Sequence, residues 1–365
     1  MEKKRIRDYG VNTGRLKTGK RNKITDVPGV LVGHCTIKNE ENHTGVTVIL
    51  PGSDNSFSSK YTAASYVHNG FGKSCGLIQV EELGTLETPI ALTNTLNVGL
   101  VWDAVAGYVI DRCEKDQVPV ASVNPVVGEC NDSRMNHIQK RAVKETHVLQ
   151  AFADAKEDFE EGDVGAGAGT SCYGLKGGIG SASRVVEIAG KEYTIGVLVQ
   201  SNFGATMDFV LGGKMAGQWI LEQRSAEKAS QTGEKQERMA VSEQDKGSIM
   251  TILATDLPVS SRQLKRIIRR TAVGIARTGA YTGHGSGEVM IGFTTANRIP
   301  DLGREELLTI SVIPEHTINQ AFQAAAEAAH EAILNSMVCA ESTRGIGGEM
   351  YYSLAEFLPD CLEAD

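Results

Sequence analysis

A serine hydroxyl can attack the carbonyl that precedes it in the chain. Gly247-Ser248 is placed for that chemistry. An N→O acyl shift gives an ester, and hydrolysis of the ester cuts the chain. A small residue before the serine lets the scissile peptide distort and leaves its carbonyl approachable. Once cut, Ser248 carries both Oγ and a free α-amine, whose ordinary pKa of about 7.7–8.0 makes it a base beside its own nucleophile. Gly-Ser pairs also occur at Gly52-Ser53, Gly180-Ser181 and Gly285-Ser286, so setting decides between them. Residues 222–247, EQRSAEKASQTGEKQERMAVSEQDKG, hold no aromatic, Leu or Ile, which predicts a mobile surface linker. SIMTILATDLP follows at once and predicts a buried strand.

Three further constellations carry polar groups at strand ends. In AYTGHGSGEVMIGF (280–293), Ser286 and Glu288 stand two apart on an extended segment and share a face. A tight turn capped by small polar residues accounts for the same pattern. Asn202 in VQSNFG (199–204) fits an oxyanion donor or a turn former. In VVGECNDSRMN (126–136), Glu129 and Asn131 fit a site for a substrate ammonium, while Asn131 or Asp132 equally fits a helix cap. The Gly-rich stretch GAGAGTSCYGLKGGIGSAS (165–183) has neither GxGxxG nor GxxxxGK[ST] and predicts turns and tight packing, not nucleotide binding.

The elements that must position these groups show as β-branched runs alternating with amphipathic segments. Strands are predicted at 30–32, 45–50, 118–123, 193–200, 248–254, 288–293 and 308–313. Helices are predicted over 262–277, with Ser260 and Gln263 as a capping box, and over 318–337, with Thr317 and Gln320 in the same spacing. Such mixing predicts layered α/β or α+β architecture. The 365 residues carry 37 Lys+Arg against 45 Asp+Glu, a net charge of −8 that argues against a nucleic-acid partner. The one basic stretch, residues 3–23, predicts a solvated, frayed terminus. Apolar runs are too short to span a membrane. Seven cysteines without a CxxC pair predict a reduced, cytoplasmic protein, and eight histidines without HExxH predict no catalytic metal.

Taken in order, ITDVPGVLVGHCT, GVTVILPG, LTNTLNVG, PVVGECNDSRMN, VGAGAGTSCYGLKGGIGSASR, VLVQSNFG, GSIMTILATDLP, QLKRIIRRTAVGIARTG and HGSGEVMIGFTTANR resemble the DmpA/β-aminopeptidase family of self-cleaving L-aminopeptidase/D-esterases. The resemblance implies a four-layer αββα sandwich of the kind shared with ornithine acetyltransferase. It implies one domain, made as a precursor and cut between Gly247 and Ser248 into 1–247 and 248–365. It implies Ser248 as nucleophile, Asn202 at the oxyanion, Ser286 and Glu288 in proton transfer, and Glu129 at the substrate's amino group. It also implies a cofactor-free hydrolase of small peptides or aminoacyl amides and esters, assembled as a homotetramer of αβ units. Cys130–Ser133 supply no aromatic where the family places a pocket tyrosine, which implies a more polar pocket. Two other readings share the fold: an acyltransferase, whose junction residue is Thr instead of Ser, and a non-catalytic binding protein, against which the joint presence of Ser248, Asn202, Ser286 and Glu288 speaks.

Overall fold

The computed structural model describes residues 3–230, 240–241, 244–301 and 306–363. In chain order its main elements are β1 (Leu31–Lys38), β2 (His43–Leu50), β3 (Ser59–Gly70), α1 (Leu77–Leu83), β4 (Thr85–Leu86), β5 (Ile90–Asn94), α2 (Val98–Lys115), β6 (Val126–Cys130), α3 (Glu145–Ala153), β7 (Ser171–Cys172), β8 (Leu175–Lys176), β9 (Ile179–Ile188), β10 (Lys191–Asn202), α4 (Ala216–Ser230), β11 (Gly247–Thr255), α5 (Ser261–Ile268), α6 (Thr271–Arg277), β12 (Ser286–Pro300) and α7 (Asn319–Val338).

Two sheets stack face to face. One has the order β1-β2-β5-β6, the other β4-β3-β12-β11-β10-β9. Val32, Ile49 and Leu92 of the first meet Leu198, Ile252 and Ile291 of the second in a buried layer between them. The outer face of the four-stranded sheet packs Val46, Val48 and Ala91 against Val101 and Val105 of α2 and Val148 of α3. The outer face of the six-stranded sheet packs Val197, Ile249 and Leu253 against α5 and the alanine-rich α7. The central strands are buried on both faces, as in the near-continuously apolar β10 and β11, whereas β1 and the end of β3 reach solvent. The result is the expected αββα sandwich. β11 and β12 run parallel, joined through α5 and α6, so both begin at the same edge of the sheet.

Several local expectations change. Residues 118–123 form no strand: Pro119 lacks a ladder donor, and the segment runs partly exposed from α2 to β6. Residues 308–313 are also outside the sheets, exposed except for Ile313 and held by isolated bonds such as Ile313 N–H to the Pro258 carbonyl (3.0 Å). The helix over 262–277 is two, α5 and α6, broken at Arg269 and Arg270, though both bury their apolar faces. The Ser260/Gln263 capping box is present, whereas Thr317 lies in a short turn and donates to the Pro314 carbonyl (2.8 Å). The basic N-terminal arm is tied down: Ile6 is fully buried, Arg5 pairs with Glu161 (2.7 Å), and Arg7 pairs with Glu331 (2.8 Å). Buried carboxylates require such partners. Of the segment 222–247, α4 carries the chain to Ser230, while 231–239 and 242–243 lie outside the described residues. Among the described residues no helix is long and apolar enough to cross a membrane.

Candidate active site

Register brings the junction to its neighbours. Asn202, the last residue of β10, pairs with Ser248 of β11, and Ser248 pairs with Gly287 of β12. Paired residues project to the same face, here the one toward the opposing sheet, as Met250 also does two residues on. There the end of β6 delivers Glu129 and Cys130. Ser248, Asn202, Glu129 and Asn131 all line one open cavity of about 270 Å³.

Gly247 could be no other residue. Its φ is +141°, and a Cβ there would lie 1.9 Å from the Asn202 carbonyl oxygen. That contact sets the Gly247–Ser248 peptide hard against the strand that carries Asn202. Ser248 itself is almost fully buried, and the Cys130 thiol beside it donates to the Gln200 carbonyl (3.4 Å) and is pushed up by burial, which keeps it protonated.

Asn202 is oriented from behind. The Ser171 N–H, on the β7–β8 hairpin, donates to Asn202 Oδ1 (3.1 Å), which leaves Nδ2 as the donor for the cavity. The Gly-rich stretch is what holds that hairpin. The fully buried Lys176 ammonium donates to the carbonyls of Gly167 (3.1 Å), Thr170 (2.9 Å) and Gly177 (2.8 Å). Burial pulls Lys176 down to about 7, against the opposing pull of Asp163.

Ser286 and Glu288 form a buried pair in which Ser286 Oγ donates to Glu288 Oε1. Strand alternation sends both to the face opposite Gly287, so they stand behind the junction and do not line the cavity. Ser286 is the register partner of Gly247, and Gly247 N–H donates to the Gly285 carbonyl (3.3 Å). Glu288 Oε2 is buried, with no hydrogen-bond partner among the described residues. Burial pushes Glu288 up to about 7, and nearby Asp245 adds to the rise.

Glu129 is buried, with Oε1 accepting from Lys73 N–H (2.9 Å) and Oε2 from Thr95 Oγ1. Asn131 is exposed at the rim, its Oδ1 engaged locally by Ser133 N–H (3.0 Å). Residues that spacing did not reveal complete the walls: Phe71 and Lys73 from the loop that leaves β3, Thr95 from the end of β5, Arg134 beyond β6, and Lys246 at the junction.

The sequence matches the profile of peptidase family S58 across residues 22–351. The chain belongs to peptidase family S58. It is 37% identical over 359 residues to the β-peptidyl aminopeptidase BapA of Sphingosinicella microcystinivorans, covering 94% of this chain and 88% of that protein. A solved structure of the PH0078 protein from Pyrococcus horikoshii OT3 superimposes with a TM-score of 0.87 at 43% identity, covering 98% of both chains. The L-aminopeptidase D-Ala-esterase/amidase of Ochrobactrum anthropi, described as a variant of the Ntn hydrolase fold, gives a TM-score of 0.87 at 32% identity over 98% of both chains. This S58 chain is a serine aminopeptidase of the N-terminal-nucleophile type, and its substrates are peptides.

Proposed function

We propose that the S58 chain matures by cutting itself between Gly247 and Ser248, and that Ser248 then removes the first residue from short peptides, aminoacyl amides or esters. The pairing of Ser248 with Asn202 in one cavity, across a glycine that no other residue could replace, carries this reading. In maturation Ser248 Oγ attacks the Gly247 carbonyl. In turnover the same oxygen attacks the carbonyl of the substrate's first residue. Asn202 Nδ2 donates to the tetrahedral oxyanion. In maturation Ser286 and Glu288 relay the Oγ proton to the departing Ser248 nitrogen; in turnover the α-amine so freed takes the Oγ proton, with Ser286 and Glu288 behind it as relay and charge partner. Glu129, held ready by Lys73 N–H and Thr95, receives the substrate's ammonium. The tetrahedral intermediate collapses to the acyl-enzyme ester as the leaving amine or alcohol departs with the proton taken from Oγ, and water then hydrolyses the ester and restores Ser248.

Ser at the junction and the kinship to peptidases favour hydrolysis over acyl transfer. Seven free thiols suit a reducing, cytoplasmic compartment, and a homotetramer of αβ units is the assembly we infer. No cofactor enters these steps.

Mass spectrometry of the purified protein should find two chains, 1–247 and 248–365. Ser248→Ala should remain whole and inactive on a panel of L-, D- and β-aminoacyl amides. An intact wild-type chain with full activity, or an active Ser248→Ala, would reject the assignment. Light scattering on the mature protein checks the tetramer.

A further inference from the structure

The cavity that holds Ser248 is cationic at its rim. Lys73, Arg134 and Lys246 all line it, and among the described residues Glu129 is the one carboxylate set against them. Among the described residues none of the three forms an ion pair with any carboxylate, Glu129 included, although the chain as a whole is acidic. Two of them are held against the wall. Lys73 Nζ lies 4.8 Å from the centroid of the Phe71 ring, itself a wall of the cavity. Arg134 Nη1 donates to Ser171 Oγ (3.0 Å), on the same residue whose N–H orients Asn202.

Lys246 belongs to the segment that maturation would turn into a chain end, and Asp245 keeps that end in place. Asp245 is buried, with one oxygen accepting from Gly204 N–H and the other from Gly283 N–H, each at 3.1 Å. Neither bond depends on the Gly247–Ser248 peptide. After the cut Lys246 therefore stays on the wall.

We propose that Lys73, Arg134 and Lys246 bind a carboxylate on the substrate's leaving residue, so that the enzyme selects short zwitterionic peptides, foremost dipeptides with a free C-terminal carboxylate. This rests on the aminopeptidase reading of Ser248 and Glu129. The dimensions agree. A cavity of about 270 Å³ lies below the roughly 300–1,000 Å³ of pockets for drug-sized ligands. Two extended residues span at most roughly 7 Å, short enough for an ammonium on Glu129 and a carboxylate on the cationic side chains to be held within the one cavity that all of them line. Guanidinium and ammonium donors on a carboxylate form charge-assisted bonds, stronger than those to a neutral amide.

The test compares dipeptides of L-, D- and β-aminoacyl type, each as the free acid and as its C-terminal carboxamide, on the mature enzyme. The acid should be cut with a kcat/KM about tenfold or more above that of the amide, mainly through KM. The ratio should shrink in high salt, because the rim is solvent-exposed. Arg134→Gln and Lys73→Gln should each lower the acid-to-amide ratio, and the double variant should bring it close to one. Ser248-dependent cleavage with an acid-to-amide ratio of one in the wild type overturns the inference and leaves the aminopeptidase reading standing. An unchanged ratio in the double variant also overturns it. Cleavage of neither form overturns both.

Discussion

Glu288 shows how a residue's burial sets the conditions under which it can work. Its carboxyl is pushed up to about 7 and one oxygen has no partner. The ionised form that can accept a proton therefore dominates only above neutrality. We expect kcat to rise through about pH 7. Glu288→Gln should flatten that limb and lower kcat by roughly 10²–10⁴, the usual range for general acid–base groups; pH–rate profiles check both. The fold responds with the opposite sign. A carboxyl raised in the folded state favours the neutral form, so its contribution is full below the ordinary carboxylate range and is lost as pH rises through about 7. Thermal melts should show wild type losing stability between pH 5 and 8 more steeply than Glu288→Gln. Ser248, Asn202, Ser286 and Glu288 sit at strand ends beside glycines or in two-residue spacing, a local pattern that turns and caps also produce; the ordered motifs of the family resemblance, not the spacing, singled them out. Thr95, Cys130 and Arg134 were not legible in the sequence. Their part in the site comes from the stacking of two sheets, which no local pattern records.

At the level of elements, the β7–β8 hairpin turns a stretch without regular periodicity into a support for catalysis. Lys176 replaces a metal-like crosslink with three hydrogen bonds to carbonyls, and Ser171 passes the resulting rigidity to Asn202. Lys176→Met should leave three buried carbonyls short of a donor and destabilise the protein by about 2–4 kcal/mol, measured by denaturant unfolding. On the oxyanion role proposed for Asn202, the same variant should lower kcat more than it raises KM. Gly density marked 165–183 as a place of close packing, and at Gly177 a Cβ would stand 2.5 Å from the Ser201 carbonyl oxygen. It did not reveal Lys176 as the centre, since a lysine among glycines in sequence looks solvated. Apolar runs misled in the other direction. Residues 118–123 and 308–313 have strand-like composition, yet neither has a neighbour to pair with, and pairing is not written in a run of side chains.

Across the whole molecule, the cut at Gly247–Ser248 would fall inside a sheet and not between domains. β10 and β11 pair along their length from Ile195 opposite Thr255 to Asn202 opposite Ser248, and β3 pairs with β12 in the same way. Both contacts join residues before the junction to residues after it. α7, from the second piece, covers β9 and β10 of the first. Under that helix Arg184, fully buried, bridges Glu327 (3.1 Å) and Glu331 (2.7 Å), and Arg7 closes on Glu331 from the N-terminal arm. A buried charge that loses its partner costs about 3–5 kcal/mol, so separation would strand several charges at once and expose the apolar faces of both pieces. We therefore expect the two chains to co-elute in size-exclusion chromatography under native conditions and to part only in denaturant. Glu331→Ala should release the arm and lower the denaturant midpoint in both the mature protein and the uncut Ser248→Ala form. An equal effect in both would show that this network holds the pieces as one folded unit before and after the cut, whereas dissociation of the mature chains in plain buffer would refute it.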